Sequence, residues 1–242
     1  ENFFASYHDM DNFIHTIKST ADFVKAKKRS TKTMKISFDE WNVWYLDEWK
    51  PAGWKKAPHI LEDQYSLKDA LVFAGMLNTL VNNSDRVEIA ALAQLVNVIA
   101  PIFTKENGNV FKQTIFYPFF AVSNYGRGVA LKAIKTGPKF DSKYGEVNYV
   151  SEAVTFDEEK REISVFLVNY AKLAMNVELE LRSFGHLTAL DHQVIAHADL
   201  EIKNTFDAEN VKFTHGELPN TDGEVLNLKL SPLTYHVYRF KY

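Results

Sequence analysis

The periodicity of the chain changes once, near residue 128, and that change limits the folds open to it. After Gly128 apolar and polar residues alternate. "EVNYVSEAVTFDEEKREISVFLVNY" alternates on both sides of a turn near Asp157–Lys160, and "MNVELELRSF", "VLNLKL" and "TYHVYRF" alternate as well. Alternation puts every second side chain on one face of a strand. Short strands separated by Gly, Asn and Asp turns predict an antiparallel β-sandwich. Before residue 128 the spacing is helical, interrupted by two short apolar runs. Helix, short link, strand and loop in that order is the rhythm of parallel α/β units. The predicted division is residues 1–128, α/β, and residues 129–242, all-β.

Individual signals fill in the first half. Asp9 or Asp11 opens a helix whose apolar stripe is Phe13, Ile14, Ile17, Ala21 and Val24. "KAKKR", Lys25–Arg29, ends that helix, where cations complement the macrodipole. "TMKISF" reads as a strand with Met34, Ile36 and Phe38 on one face. Ser66, with Asp69 three residues on, approximates a capping box. The helix it starts turns Leu67, Leu71, Ala74, Met76, Leu77 and Leu80 inward. Val87, Ile89 and Ala91 predict a second buried strand ending near Gln94. A third helix fits "QTIFYPFFAVSNYGRG", with Pro118 tolerated at a kink or near the first turn and Gly126 and Gly128 stopping it.

Composition removes several function classes. A net charge of −3 over 242 residues leaves no basic field for nucleic acid. The absence of cysteine excludes disulfides, thiolate catalysis and cysteine metal sites, and suits a reducing cytoplasm. No apolar run is long enough to span a bilayer as a helix. The eight histidines are scattered, with no HExxH or carboxylate–His spacing, and His192 and His197 read as surface residues on a β segment. "GRG" at Gly126–Gly128 is too short for a phosphate loop.

The chemistry concentrates in "TMKISFDEWNVWYLDEW". Asp39 and Glu40 end the first strand, and Trp41, Trp44, Tyr45 and Trp49 follow within ten residues. Residues at the C-terminal ends of parallel strands line the active face of α/β folds. Alternation turns Phe38 and Glu40 one way and Asp39 the other, so the two adjacent acids are not themselves a catalytic pair. A carboxylate among indoles suits sugar chemistry: C–H faces stack on aromatic rings, and an oxocarbenium-like transition state needs nearby negative charge. Against this stands the ordinary reading, solvated loop acids and partly buried core aromatics. Trp41 fits the core reading better, Trp44 fits either, and Trp49 and Trp54 are exposed or pack their loop down.

"KISFDEWNVWY" resembles the nucleophile motif of glycoside hydrolase family 51, the α-L-arabinofuranosidases. "LEDQYSLKDALVFAGML", "DRVEIAALAQLVNVIAP" and "QTIFYPFFAVSNYGRGVAL" resemble the same family in the same order. The resemblance is close from about Met10 to Leu131 and looser beyond. It implies the C-terminal part of a (β/α)8 barrel followed by a jelly-roll-like β-sandwich, and a retaining mechanism. Glu40 matches the family's nucleophile, Trp44 an aromatic beside the arabinose subsite, and Gln94 a residue that hydrogen-bonds the sugar. Asp39 does not carry over as catalytic, and the resemblance implies no metal and no organic cofactor. The implied substrates are arabinose-containing oligosaccharides derived from arabinoxylan or arabinan. The family's acid/base glutamate has no match among Glu48, Glu62 and Asp63. The resemblance therefore implies an N-terminal half of the same enzyme as partner, in a homo-oligomer located in the cytoplasm. Two barrel strands with open edges are an aggregation hazard, so residues 1–242 are not expected to be soluble alone. Two other readings stay open: a non-catalytic carbohydrate-binding or interaction module, and another clan A glycosidase such as a β-xylosidase or endoglucanase.

Overall fold

A computed structural model describes residues 1–45, 53–56, 58, 62–223 and 225–242. The described residues are rich in sheet and contain three α-helices. The first half runs α1 (Ser6–Lys28), β1 (Ile36–Trp41), α2 (Leu67–Asn82), β2 (Val87–Leu92), β3 (Ile102–Thr104), β4 (Val110–Lys112) and α3 (Phe116–Tyr125). Then follow β5 (Val129–Leu131), β6 (Lys139–Ser142), β7 (Gly145–Asn148), β8 (Val150–Asp157), β9 (Glu162–Asn169) and β10 (Met175–Glu180). The last strands are β11 (Thr188–Ile195), β12 (Thr214–His215), β13 (Val225–Leu230) and β14 (Thr234–Lys241).

Local signals explain the helices. The predicted box at α2 is complete: the Ser66 hydroxyl accepts from the Asp69 amide, and the Asp69 carboxylate accepts from the Ser66 amide at 2.7 Å. Pro118 is the third residue of α3, where a missing N–H breaks no helical bond. Helix α1 begins earlier than expected, because the chain is already helical at Ser6 and its N-cap is Ala5 without a side-chain cap. Neither Asp9 nor Asp11 is the cap. Asp9 lies in the first turn, favoured by the macrodipole, and Asp11 accepts from Asn83 Nδ2 at 2.8 Å.

Strands β1 and β2 form a parallel pair, from Ile36 opposite Val87 to Trp41 opposite Leu92, with register shifts after Ile36 and between Phe38 and Trp41. The alternating half forms a six-stranded sheet in the order β12-β11-β14-β9-β8-β5, antiparallel throughout. Consecutive residues of β9 serve opposite faces. Phe166 and Val168 join Ala153, Tyr235 and Val237 in the core shared with α2. Val165 and Leu167 join Val154, Tyr238 and Phe240 beneath the antiparallel pair β10–β13, which supplies Leu226, Leu228 and Leu230. Helix α2 is covered on nearly every side for the same reason, lying between that sheet and the β1–β2 pair. Gly128 takes φ +85° where α3 passes into β5, and a Cβ there would overlap the Phe156 carbonyl.

Three expectations from periodicity fail at the surface. Strand β2 exists, but of its predicted buried residues only Val87 is covered, while Ile89 is 59 % exposed. In α1 only Ile14 of the predicted stripe is buried, and Phe13, Ile17 and Val24 are exposed. His192, expected at the surface, is 6 % exposed. Its ring stacks on Tyr238 at 3.9 Å, and its Nε2 meets His236 Nδ1 at 2.9 Å.

Candidate active site

The end of β1 is irregular: the register shifts between Phe38 and Trp41, so Asp39 and Glu40 do not follow strict alternation. Phe38 turns to α1, its ring 6.1 Å from that of Phe13. The Asp39 carboxylate accepts from the Ser37 hydroxyl. Trp41 is buried and stacks on Phe73 of α2 at 4.9 Å, so it is a core residue. Glu40 is exposed. Trp44, three residues past the strand, is 41 % exposed, and Trp54 is fully exposed. Trp49 and Glu48 lie outside the described residues.

Beyond Trp44 the chain is held by two acids. The Tyr45 amide donates to Asp63 Oδ2 at 3.1 Å, and its hydroxyl donates to Asp69. Burial pushes the Asp69 carboxyl above its usual range, opposed by the hydrogen bonds from Tyr45 and Ser66. Asp63 and Asp69 thus shape the loop ahead of α2.

Strand β2 delivers the third candidate. The Ala93 amide donates to the Trp41 carbonyl at 3.4 Å, and Gln94 follows, exposed, at φ +66°. Glu40 and Gln94 therefore stand at the same ends of adjacent parallel strands, with Trp44 following on from the first. Sequence reasoning missed two amides that organise the loops here. Asn42 Nδ2 donates to the Ile99 carbonyl at 2.6 Å. Gln113, 1 % exposed, donates to the carbonyls of Asp63 and Ala100 and accepts from the Tyr65 amide. Apart from Ala100, 13 residues from Gln113, their partners lie 48 to 57 residues away, so no local pattern marks them. Among the described residues no group of three or more His, Cys, Asp or Glu side chains gathers to hold a metal ion, and no helix is long and apolar enough to cross a membrane.

Polar side chains at the C-terminal ends of adjacent parallel strands line the active face of α/β folds. The chain belongs to the family of α-L-arabinofuranosidase C-terminal domains, whose model matches residues 39–234. It is similar to an intracellular exo-α-(1→5)-L-arabinofuranosidase of Halalkalibacterium halodurans, 43 % identical over 98 % of this chain and 48 % of the relative. A Bacillus subtilis enzyme of the same description is 41 % identical over 99 % of this chain and 49 % of its own length. The solved structure of a family 51 α-L-arabinofuranosidase from Bifidobacterium longum superposes with a TM-score of 0.90 at 33 % identity, covering 98 % of this chain and 48 % of that one. The resemblance drawn from "KISFDEWNVWY" and the segments after it is thereby borne out. The chain spans about half the length of the curated relatives it matches.

Proposed function

We propose that this chain is the C-terminal part of a retaining glycoside hydrolase that releases terminal α-L-arabinofuranosyl residues from arabinan- or arabinoxylan-derived oligosaccharides. In this reading residues 1–128 complete a (β/α)8 barrel and residues 129–242 are its β-sandwich. The observation that carries it is that Glu40 and Gln94 stand at the same ends of neighbouring parallel strands, with the half-exposed Trp44 three residues past the first. The exposed Ile89, Ile17 and Val24 support a further body of the same enzyme, as does the double length of the relatives. Those relatives are described as intracellular, and the same compartment is proposed here.

Glu40 attacks the anomeric carbon as the glycosidic C–O bond breaks. A second carboxylic acid, supplied by the N-terminal half, protonates the leaving oxygen. Water then opens the glycosyl ester, with the second group acting as base. A retaining pair requires carboxyl groups about 5–5.5 Å apart. Gln94 hydrogen-bonds the sugar, and Trp44 offers its ring as a wall.

The test is Glu40→Ala in the full-length enzyme, assayed on an aryl α-L-arabinofuranoside. Turnover is expected to vanish while thermal unfolding is unchanged. Added azide should restore aryl release and yield the β-glycosyl azide, since azide attacks from the side the carboxylate vacated. Turnover within a few-fold of wild type would remove Glu40 from the mechanism.

A further inference from the structure

Among the described residues of the first half, the segment after β2 is the most contorted stretch of backbone. Gln94, Asn97 and Val98 have φ of +66°, +57° and +55°. A β-branched residue in the left-handed region is a steric outlier, and such residues cost of order 1–3 kcal/mol each unless their surroundings fix them. Here the surroundings do so from two sides. The Asn97 amide donates to the Ile102 carbonyl at 2.8 Å, and its side chain exchanges bonds with the Thr104 amide and hydroxyl. On the other side Ile99 and Ala100 are gripped through their carbonyls by Asn42 and Gln113. Only the apex, Gln94 to Val96, is left exposed.

Of these grips, the one from Asn42 has a distinctive origin. Asn42 lies two residues beyond Glu40. Its side chain is itself oriented, because Oδ1 accepts from the Val43 amide at 2.8 Å, which aims Nδ2 at the Ile99 carbonyl. One amide therefore connects the strand end that carries Glu40 to the strained loop that carries Gln94. We propose that Asn42 is a positioning residue that sets Gln94 relative to Glu40 by clamping the 94–99 segment against the end of β1.

This inference rests on the reading of Glu40 and Gln94 given above and adds a residue to it. A displacement of about 1 Å in a catalytic constellation can cost on the order of 100-fold in rate. Losing a clamp two residues from the nucleophile belongs to that range.

The experiment is a double-mutant cycle in the full-length enzyme, measuring kcat and KM on an aryl α-L-arabinofuranoside. Asn42→Ala is expected to lower kcat/KM by about 10- to 100-fold. Asn42→Asp keeps the acceptor for Val43 but lacks the donor for Ile99, so it should fall as far. In the Gln94→Ala background either change should cost less than about threefold, because the residue through which Asn42 acts is already gone. Should Asn42→Ala not fold, the Asp variant decides by the same criteria. Full multiplicative penalties in both backgrounds would overturn the proposal, as would Asn42→Asp at wild-type activity. Gln94→Ala at wild-type activity would be a different failure: it would overturn the site reading itself, and the clamp with it.

Discussion

Gly75 sits in the middle of α2, where helix propensity alone favours alanine by about 0.8–1 kcal/mol. The tertiary structure reverses that sign. A Cβ at Gly75 would overlap the Tyr170 hydroxyl and fall 3.0 Å from two Tyr7 ring carbons. Both tyrosines are buried, and their rings stack at 5.4 Å. The Tyr170 hydroxyl donates to the Leu71 carbonyl at 3.1 Å, one turn before Gly75, so helix and sheet meet here through a single buried oxygen. Overpacking costs about 1–3 kcal/mol. Displacing a buried hydroxyl from its acceptor adds about 1–3 kcal/mol. After the propensity gain, Gly75→Ala should destabilise by about 1–5 kcal/mol. At about 2–4 °C per kcal/mol for a unit of this size, the melting temperature should fall by about 2–20 °C. The assay is calorimetry of the full-length enzyme with Gly75→Ala, Tyr170→Phe and the double variant. Removing the hydroxyl frees the space, so alanine should cost much less in the Tyr170→Phe background. A raised melting temperature for Gly75→Ala, or equal costs in both backgrounds, would refute the argument.

Burial and its neighbour His192 push His236 down to about 3, and burial lowers His192 as well. Between the ordinary histidine value near 6.5 and about 3 the unfolded chain binds more protons, so this stabilisation is present above about pH 6.5 and drains away on acidification. At pH 5 the loss reaches up to about 2 kcal/mol, and His236→Asn should flatten the pH dependence of urea unfolding; an unchanged slope would count against it. Arg86 is buried, donates through Nη1 to both oxygens of Asp22 and through Nε to the Met34 carbonyl, and ties α1 to the start of β1. Lysine cannot reproduce that fork, so Arg86→Lys should cost about 1.5–3 kcal/mol in the same unfolding assay. Trp44→Ala should raise KM for arabino-oligosaccharides by about 3- to 10-fold with little change in melting temperature, since the ring is half exposed and ring packing contributes about 0.5–1.5 kcal/mol. Unchanged kinetics would take Trp44 out of the site.

The sequence by itself determined what short-range physics controls. Ser66 and Asp69 cap α2 as their spacing predicts, because both partners lie within one turn. Pro118 falls in a first turn, and the alternation after Gly128 becomes antiparallel ladders, because strand side chains repeat every two residues. "KISFDEWNVWY" pointed to the family because a motif is a property of the chain and needs no coordinates. Tertiary structure alone decided the rest. Ile89 has the pattern of a core residue and is exposed, since burial depends on what lies opposite. His192 has the pattern of a surface residue and is buried, since Tyr238 and His236 arrive from another strand. The strained backbone of the 94–98 segment, and the Asn42 amide that holds it from 57 residues away, leave no periodic trace in the sequence. Hydrogen bonds and close packing between distant residues form only once the chain has folded, so a local pattern does not encode them.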